Sequence, residues 1–274
     1  MISIVFPGQG SQTVGMTKDF NDNFKEAKVV FEEIEDYCNI NIRKIIFNNE
    51  DNKLDLTQYT QICIFASSYV IFTTYANEVG LQAKNINVMM GHSLGEYTAL
   101  ACSKKISLKE CCLILKKRGE LMNNAVKPNE TGMAALIGKD ADYVQNIINE
   151  EKLNLEIAND NSPLQIVISG LKEDIIKNKE LFLSKNIKKY VELNVSAAFH
   201  SQYMKKAQDL LNGYIKDLNF IENNIKIISN YDAQAYTDTI FIRNNLQNQM
   251  ANKVNWTKSI KKLKEMGEKN ILEI

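Results

Sequence analysis

The chain carries no net charge, since 33 lysines and arginines balance 33 aspartates and glutamates over 274 residues. That balance removes the basic footprint of a nucleic-acid binder, so any macromolecular partner must be met by a local patch. An apolar run of the roughly 18 residues that would span a bilayer is also missing, which excludes a membrane-spanning helix. The N-terminus, Met1-Ile2-Ser3-Ile4-Val5-Phe6-Pro7-Gly8, has no basic segment and breaks its apolar run early, so a buried strand is expected there and not a signal peptide. Five cysteines occur, Cys38, Cys63, Cys102, Cys111 and Cys112, with no CxxC pair and no histidine spaced to complete a metal site. Core thiols in a reducing compartment are the expectation, hence a cytoplasmic protein without structural metal. Internal repeats, low-complexity tracts and long linkers are absent. Histidine is the scarcest relevant residue, with only His92 and His200 available for acid–base work.

What remains is ordinary globular composition, 45% hydrophobic and 24% charged, on a chain long enough for a large core. Strand-like runs alternate with helix-length amphipathic stretches, which argues for an α/β fold with a parallel sheet flanked by helices. Strands are expected at Ile2–Phe6 and Ile86–Met90, and helices over residues 17–38 and from Thr60 to Val79, the latter closed by Gly80 at its C′ position. Two further helices follow, the second opened by a capping box in which Ser107 and Glu110 satisfy each other's free amides. From Pro128 the order becomes strand 132–138, helix 140–150, strand 153–158, strand 164–169, helix 172–185 and strand 188–193. That β-α-β-β-α-β order predicts a ferredoxin-like subdomain over residues 128–195, inserted into a large α/β catalytic domain made of residues 1–127 and 196–274. Beyond it the pattern predicts a helix from His200, a strand at Ile225–Asn230, helices near 240–250 and 256–267, and a closing strand at Asn270–Ile274.

Three segments point to chemistry. Gly91-His92-Ser93-Leu94-Gly95 matches GxSxG directly after an apolar strand and before a helix-compatible run, the setting of a nucleophile elbow that lifts a serine hydroxyl clear of the fold. A Gly-rich turn whose serine only caps the helix is the plainer alternative. A serine nucleophile needs a base; His92 diverges from its neighbour Ser93, so His200, in the small-residue loop Val195–Ser201, is the candidate by elimination. The loop Pro7-Gly8-Gln9-Gly10-Ser11-Gln12 follows the first strand, where α/β sheets bind ligands. It lacks the third glycine of a dinucleotide loop and the Lys-Ser/Thr of a P-loop, but its glycines let backbone amides approach an oxyanion, unless it is an ordinary tight turn.

Together these segments resemble the malonyl-CoA:acyl carrier protein transacylase family, the acyltransferases of fatty acid and polyketide synthesis. The likeness runs through Pro7–Gln12, Thr60-Gln61, Gly91–Tyr97, Lys117-Arg118-Gly119 with Met122, Gly132–Ala135, Ala158-Asn159 with Ser162-Pro163, Ala198–Ser201, Asn230 with Asp232, and Gln249 ahead of Val254 and Trp256-Thr257. It departs from the family's habit at Ile62, where proline is usual, and at Leu164, where glycine is usual. The family also continues beyond the point where this chain stops at Ile274, into a Gly-Pro-Gly loop and a final helical stretch, so a truncated large domain is expected.

The resemblance implies a large α/β-hydrolase-like domain and roles at matching positions. Ser93 would be the acylated nucleophile and His200 its base, with the backbone amides of Gln9 and Leu94 as oxyanion hole. Arg118 would grip the malonyl carboxylate, Gln249 would orient the histidine through its main chain, and Phe199 would favour malonyl over methylmalonyl. Taken without the family, Arg118 follows Lys116 and Lys117 and reads as a solvated helix face. The implied activity is ping-pong transfer from malonyl-CoA to the pantetheine thiol of acyl carrier protein, by a monomer needing no metal or redox cofactor. The carrier is acidic, so Lys104, Lys105, Lys116 and Lys117 are candidates for a docking patch. Either a fatty-acid carrier or a discrete polyketide-synthase carrier fits as acceptor. An α/β-hydrolase esterase or thioesterase shares GxSxG but wants an HGGG-type motif that is absent here. A non-catalytic acyl or carrier binder would have no use for Ser93, His200 and Arg118 together.

Overall fold

The computed structural model describes residues 1–274. Nine strands occur in chain order: β1 (Ile2–Phe6), β2 (Ile86–Gly91), β3 (Thr131–Ile137), β4 (Leu155–Ser162), β5 (Gln165–Leu171), β6 (Lys189–Glu192), β7 (Lys226–Ile228), β8 (Ala235–Tyr236) and β9 (Ile271–Glu273). They form two sheets. The first has the order β8-β7-β2-β1-β9, with β1, β2, β7 and β9 parallel and the edge strand β8 antiparallel. The second has the order β4-β5-β3-β6 and is antiparallel throughout. The architecture is therefore α/β with a mixed, mainly parallel sheet.

Strand alternation sets the layers. Ile4 and Phe6 point to one side of the first sheet, into the main core with Phe72, Leu94 and Leu100, while Val5 on the other side joins Val88, Met90, Ile228 and Leu263. Both faces are covered, as parallel sheets require, and β1 and β2 accordingly carry apolar residues on both faces, broken only by Ser3 and Asn87 near their starts. Helix Thr57–Glu78 lies inside the main core, buried on several sides, with Gly80 at φ +64 in the turn beyond it. Helix Leu108–Asn123 opens on the Ser107–Glu110 capping box, with the Glu110 amide donating to Ser107 Oγ at 3.2 Å. The second sheet has its own core, built from Ala134, Leu136, Ile157, Ile166 and Ile168 against Val144, Ile147, Ile175 and Phe182. It meets the first body where Val254 bridges β4, its amide donating to Ala158 O at 2.9 Å and its carbonyl accepting from Asp160 N at 3.0 Å.

Several expected elements differ in detail. The helix expected over 17–38 is two, Lys18–Asn23 and Lys25–Cys38, because Phe24 takes an extended conformation (φ −119, ψ 120). The helix expected over 172–185 breaks at Asn178, whose side chain donates back to Asp174 O at 2.8 Å and competes with the helical ladder. The helix expected from His200 begins only at Lys205, after a short 3-10 turn. Strand β8 is two residues long, too short to carry an alternation in sequence. A helix at Ile42–Asn48 and a 3-10 segment at Glu50–Asp55 connect the early helices to Thr57.

Candidate active site

The elbow is built by close backbone approach. A Cβ on Gly91 would lie 2.1 Å from the Gly95 carbonyl, and one on Gly95 would lie 2.6 Å from the carbonyl oxygens of Phe6 and Pro7, so both positions exclude any side chain. Between them Ser93 sits at φ 54, ψ −106, a left-handed backbone that costs on the order of 1–3 kcal/mol and that the surroundings must hold. Asn230, just past β7, does so: its Oδ1 accepts from the Ser93 amide at 2.6 Å and its Nδ2 donates to Gly91 O at 2.7 Å, clamping both ends of the turn.

Ser93 Oγ meets His200 Nε2 at 2.8 Å. His200 Nδ1 faces two carbonyls, Gln249 O and Asn252 O, each at 3.1 Å. Carbonyls only accept, so Nδ1 carries the proton and Nε2 is left as acceptor for the serine hydroxyl. His200 is 4% exposed, and burial, with help from the Arg118 charge, pushes its pKa down to about 3. The free site thus holds a neutral imidazole. His200 is also in the left-handed region, at φ 55, in the loop between β6 and the 3-10 turn.

Arg118, on helix Leu108–Asn123, is fully buried and does not occupy a solvated helix face. Its Nη2 donates to Ser93 Oγ and to Gln249 Oε1, both at 3.0 Å, and its Nη1 donates to Gln61 Oε1 at 2.6 Å. Its guanidinium carbon lies 5.3 Å from the Tyr97 ring centroid, while its Nε has no partner in the chain. Gln249 does more than present its main chain, because its Nε2 also donates to Ser93 O and to Glu96 Oε2, both at 2.8 Å. Glu96, Asn230, Gln61 and Asn252 had no assigned part beforehand. Gln61 and Asn230 stand among the residues that carry the resemblance, and Glu96 is the one acid in the run Leu94–Cys102.

The site opens into a cleft of about 390 Å³ between the two sheets, lined by Gln9, Met122, Met133, Asn159, Leu193 and Phe199 among others. Gln9 and Leu94 also line it, and neither main-chain amide donates to another group of the chain. His92 turns away from Ser93; its Nε2 lies 2.9 Å from Asn161 Oδ1 and its ring packs edge-on to Trp256. The expected lysine patch needs a correction. Lys105 is fully buried, with Nζ donating to the carbonyls of Asn223 and Thr237 at 3.1 and 2.9 Å, so it anchors loops and cannot meet a partner. Lys116 Nζ donates to Cys38 O at 2.8 Å and Lys117 pairs with Glu120 at 3.0 Å, both remaining partly exposed.

Residues 4–274 match the acyl transferase domain family. The malonyl CoA-acyl carrier protein transacylase of Bacillus subtilis is 33% identical over 276 residues, covering 100% of this chain and 86% of that protein. The polyketide biosynthesis malonyl CoA-acyl carrier protein transacylase PksC of the same organism is 35% identical, covering 100% of this chain and 92% of its own. Among solved structures, the acyl-carrier-protein-S-malonyltransferase of Bartonella henselae superposes with a TM-score of 0.94 at 34% identity, over 100% of this chain and 88% of that one. A buried serine, histidine and arginine in one cleft and full-length matches of this quality lead to one conclusion: the chain is an acyltransferase and belongs to the malonyl CoA-acyl carrier protein transacylase family.

Proposed function

We propose that the chain transfers the malonyl group of malonyl-CoA to the phosphopantetheine thiol of an acyl carrier protein, supplying fatty acid synthesis, through an ester on Ser93. The observation that carries this reading is the convergence on one oxygen: Ser93 Oγ lies 2.8 Å from His200 Nε2 and 3.0 Å from Arg118 Nη2. His200 takes the hydroxyl proton and Ser93 Oγ attacks the thioester carbonyl. The free amides of Gln9 and Leu94 receive the oxyanion, at no cost in lost internal bonds. Collapse expels the CoA thiolate, which takes the proton from His200; the carrier thiol then gives its proton to His200 and attacks the ester, and Ser93 leaves with that proton. Gln249 O and Asn252 O keep His200 in the tautomer both half-reactions need.

Arg118 holds the malonyl carboxylate by a two-pronged charge-assisted bond, for which a buried guanidinium is suited. The same contact assists His200: a carboxylate on Arg118 offsets the positive charge that helps depress the imidazole, so the base strengthens when a malonyl group is present. Phe199, 5% exposed and lining the cleft, crowds a branched extender. The reading includes a monomer and a cytoplasmic location, the latter in keeping with five buried free thiols.

The same reading divides the chain into a large α/β-hydrolase-like domain (1–127 and 196–274) and a ferredoxin-like subdomain (128–195). The separate core of the second sheet and its order β4-β5-β3-β6 support that division. A polyketide carrier is the second reading for the acceptor, favoured by the 35% identity to PksC. The experiment compares the release of malonate from Ser93 to water with its transfer to holo carrier protein. Transfer faster by at least about 100-fold is expected for a transferase; equal rates mark a hydrolase and overturn the reading.

A further inference from the structure

Glu96 lies in the first turn of helix Leu94–Cys102 and is 1% exposed. Its Oε2 accepts from Gln249 Nε2 at 2.8 Å and from the Asn230 amide at 3.1 Å. Through Gln249 it stands one residue away from both reacting partners of Ser93. The Gln249 carbonyl fixes His200 Nδ1 at 3.1 Å, and the Gln249 Oε1 holds Arg118 Nη2 at 3.0 Å. Through Asn230 it backs the residue that clamps the elbow. A neutral side chain would fill this space without the cost of burying a carboxylate, so the charge calls for a reason beyond packing.

We propose that Glu96 is a positioning residue for transfer, holding the Gln249 side chain so that this one residue sets the His200 ring through its main-chain carbonyl and the Arg118 fork through its carboxamide. The inference rests on the functional reading above. It places the carboxylate of this site one residue behind the histidine, with a glutamine between them. Hydrogen bonds to an ionised acceptor are about twice as strong as neutral ones, so the hold is firm only when Glu96 is charged. The groups facing it are Arg118 from helix Leu108–Asn123, Asp232 from the loop after β7, and Tyr97 beside it on its own helix, with His200 beyond Gln249. Burial, with Asp232 adding to it, pushes the carboxyl up to about 7 against the pull of Gln249, Asn230 and Arg118. Transfer therefore weakens as pH falls through about 7, on a limb that belongs to Glu96 and not to the already neutral His200.

The test begins with the wild-type protein and malonyl-CoA, where a Ser93 adduct by intact mass must appear; its absence overturns the functional reading and this inference with it. Transfer kcat/KM is then followed from about pH 6 to about pH 8 for wild type and Glu96→Gln. The expected result is a loss of about tenfold at pH 8 that shrinks toward pH 6, because the variant has no limb to lose. Glu96→Gln should also melt no earlier than wild type at pH 8, since a carboxyl raised in the folded state destabilises it as pH rises. A variant that is equally slow at every pH and melts early shows a structural carboxylate and overturns the inference. If the variant does not fold, the wild-type protein decides, its two histidines giving resolvable imidazole signals. The His200 ¹⁵N shift should move with a midpoint near 7 while the ring stays unprotonated; a flat response overturns the inference.

Discussion

Arg118 donates to the hydroxyl of Ser93 across 3.0 Å, so the cation proposed to read the acyl group also touches the proposed nucleophile. Its charge favours the serinate, and its other Nη2 bond ties it to Gln249, whose carbonyl holds the base. Recognition and activation are therefore parts of one hydrogen-bonded ring.

From this follows a test of selectivity. Arg118→Ala leaves the malonyl carboxylate desolvated without its partner, costing on the order of 2–5 kcal/mol in transfer from malonyl-CoA. Acetyl-CoA has no charge to lose and should lose far less, so the malonyl-to-acetyl ratio of kcat/KM falls. Arg118→Lys should recover only part of it, offering a point charge for a fork. An unchanged ratio in a folded Ala variant would assign the carboxylate to another cation.

The proposed selectivity against a branched extender rests on Phe199. Phe199→Ala should raise kcat/KM for methylmalonyl-CoA relative to malonyl-CoA by a factor corresponding to about 1–3 kcal/mol, the worth of one added methyl against a filled wall. Identical ratios before and after the substitution would remove Phe199 from the acyl pocket.

The depressed imidazole makes a stability prediction. His200 titrates near 3 in the folded protein against an ordinary 6.5, so the unfolded chain binds the extra proton between those values. Its contribution is a stability loss that grows as pH falls below about 6.5. Glu96, raised to about 7, works in the opposite sense over much of the same range, so the two must be separated by mutation. His200→Gln should gain about 1–2 kcal/mol on wild type between pH 7.5 and pH 5, read from denaturant melts at both pH values. A difference that does not change with pH would show an ordinary histidine.

Asn230 is the clamp of the elbow. Asn230→Ala frees the Ser93 amide and the Gly91 carbonyl in a buried place, which should destabilise the fold by about 1–3 kcal/mol and slow acylation further than melting alone explains. Full activity in that variant would mean that the glycines alone hold Ser93 in its left-handed backbone.

The elbow was legible in sequence because its requirement is local: a strand, two glycines where no Cβ fits, and a serine between them. His200 could be reached by elimination, since only two histidines exist and one adjoins the serine. The parts that were not legible are long-range. Arg118 follows two lysines and looks solvated, and only packing against Tyr97 and Gln61 puts it inside. Lys105 looked like surface charge, yet the carbonyls of Asn223 and Thr237, more than a hundred residues on, draw it into the interior. The helix break at Asn178 follows from a side-chain contact that periodicity does not register, and the one at Phe24 is a turn to extended backbone.

The most direct measurement is intact mass of the protein after mixing with malonyl-CoA, repeated after holo carrier protein is added. The wild type should gain one malonyl group, lose it to the carrier, and show no gain in Ser93→Ala. An adduct that persists in Ser93→Ala, or one that the carrier fails to discharge, would contradict acyl transfer through Ser93.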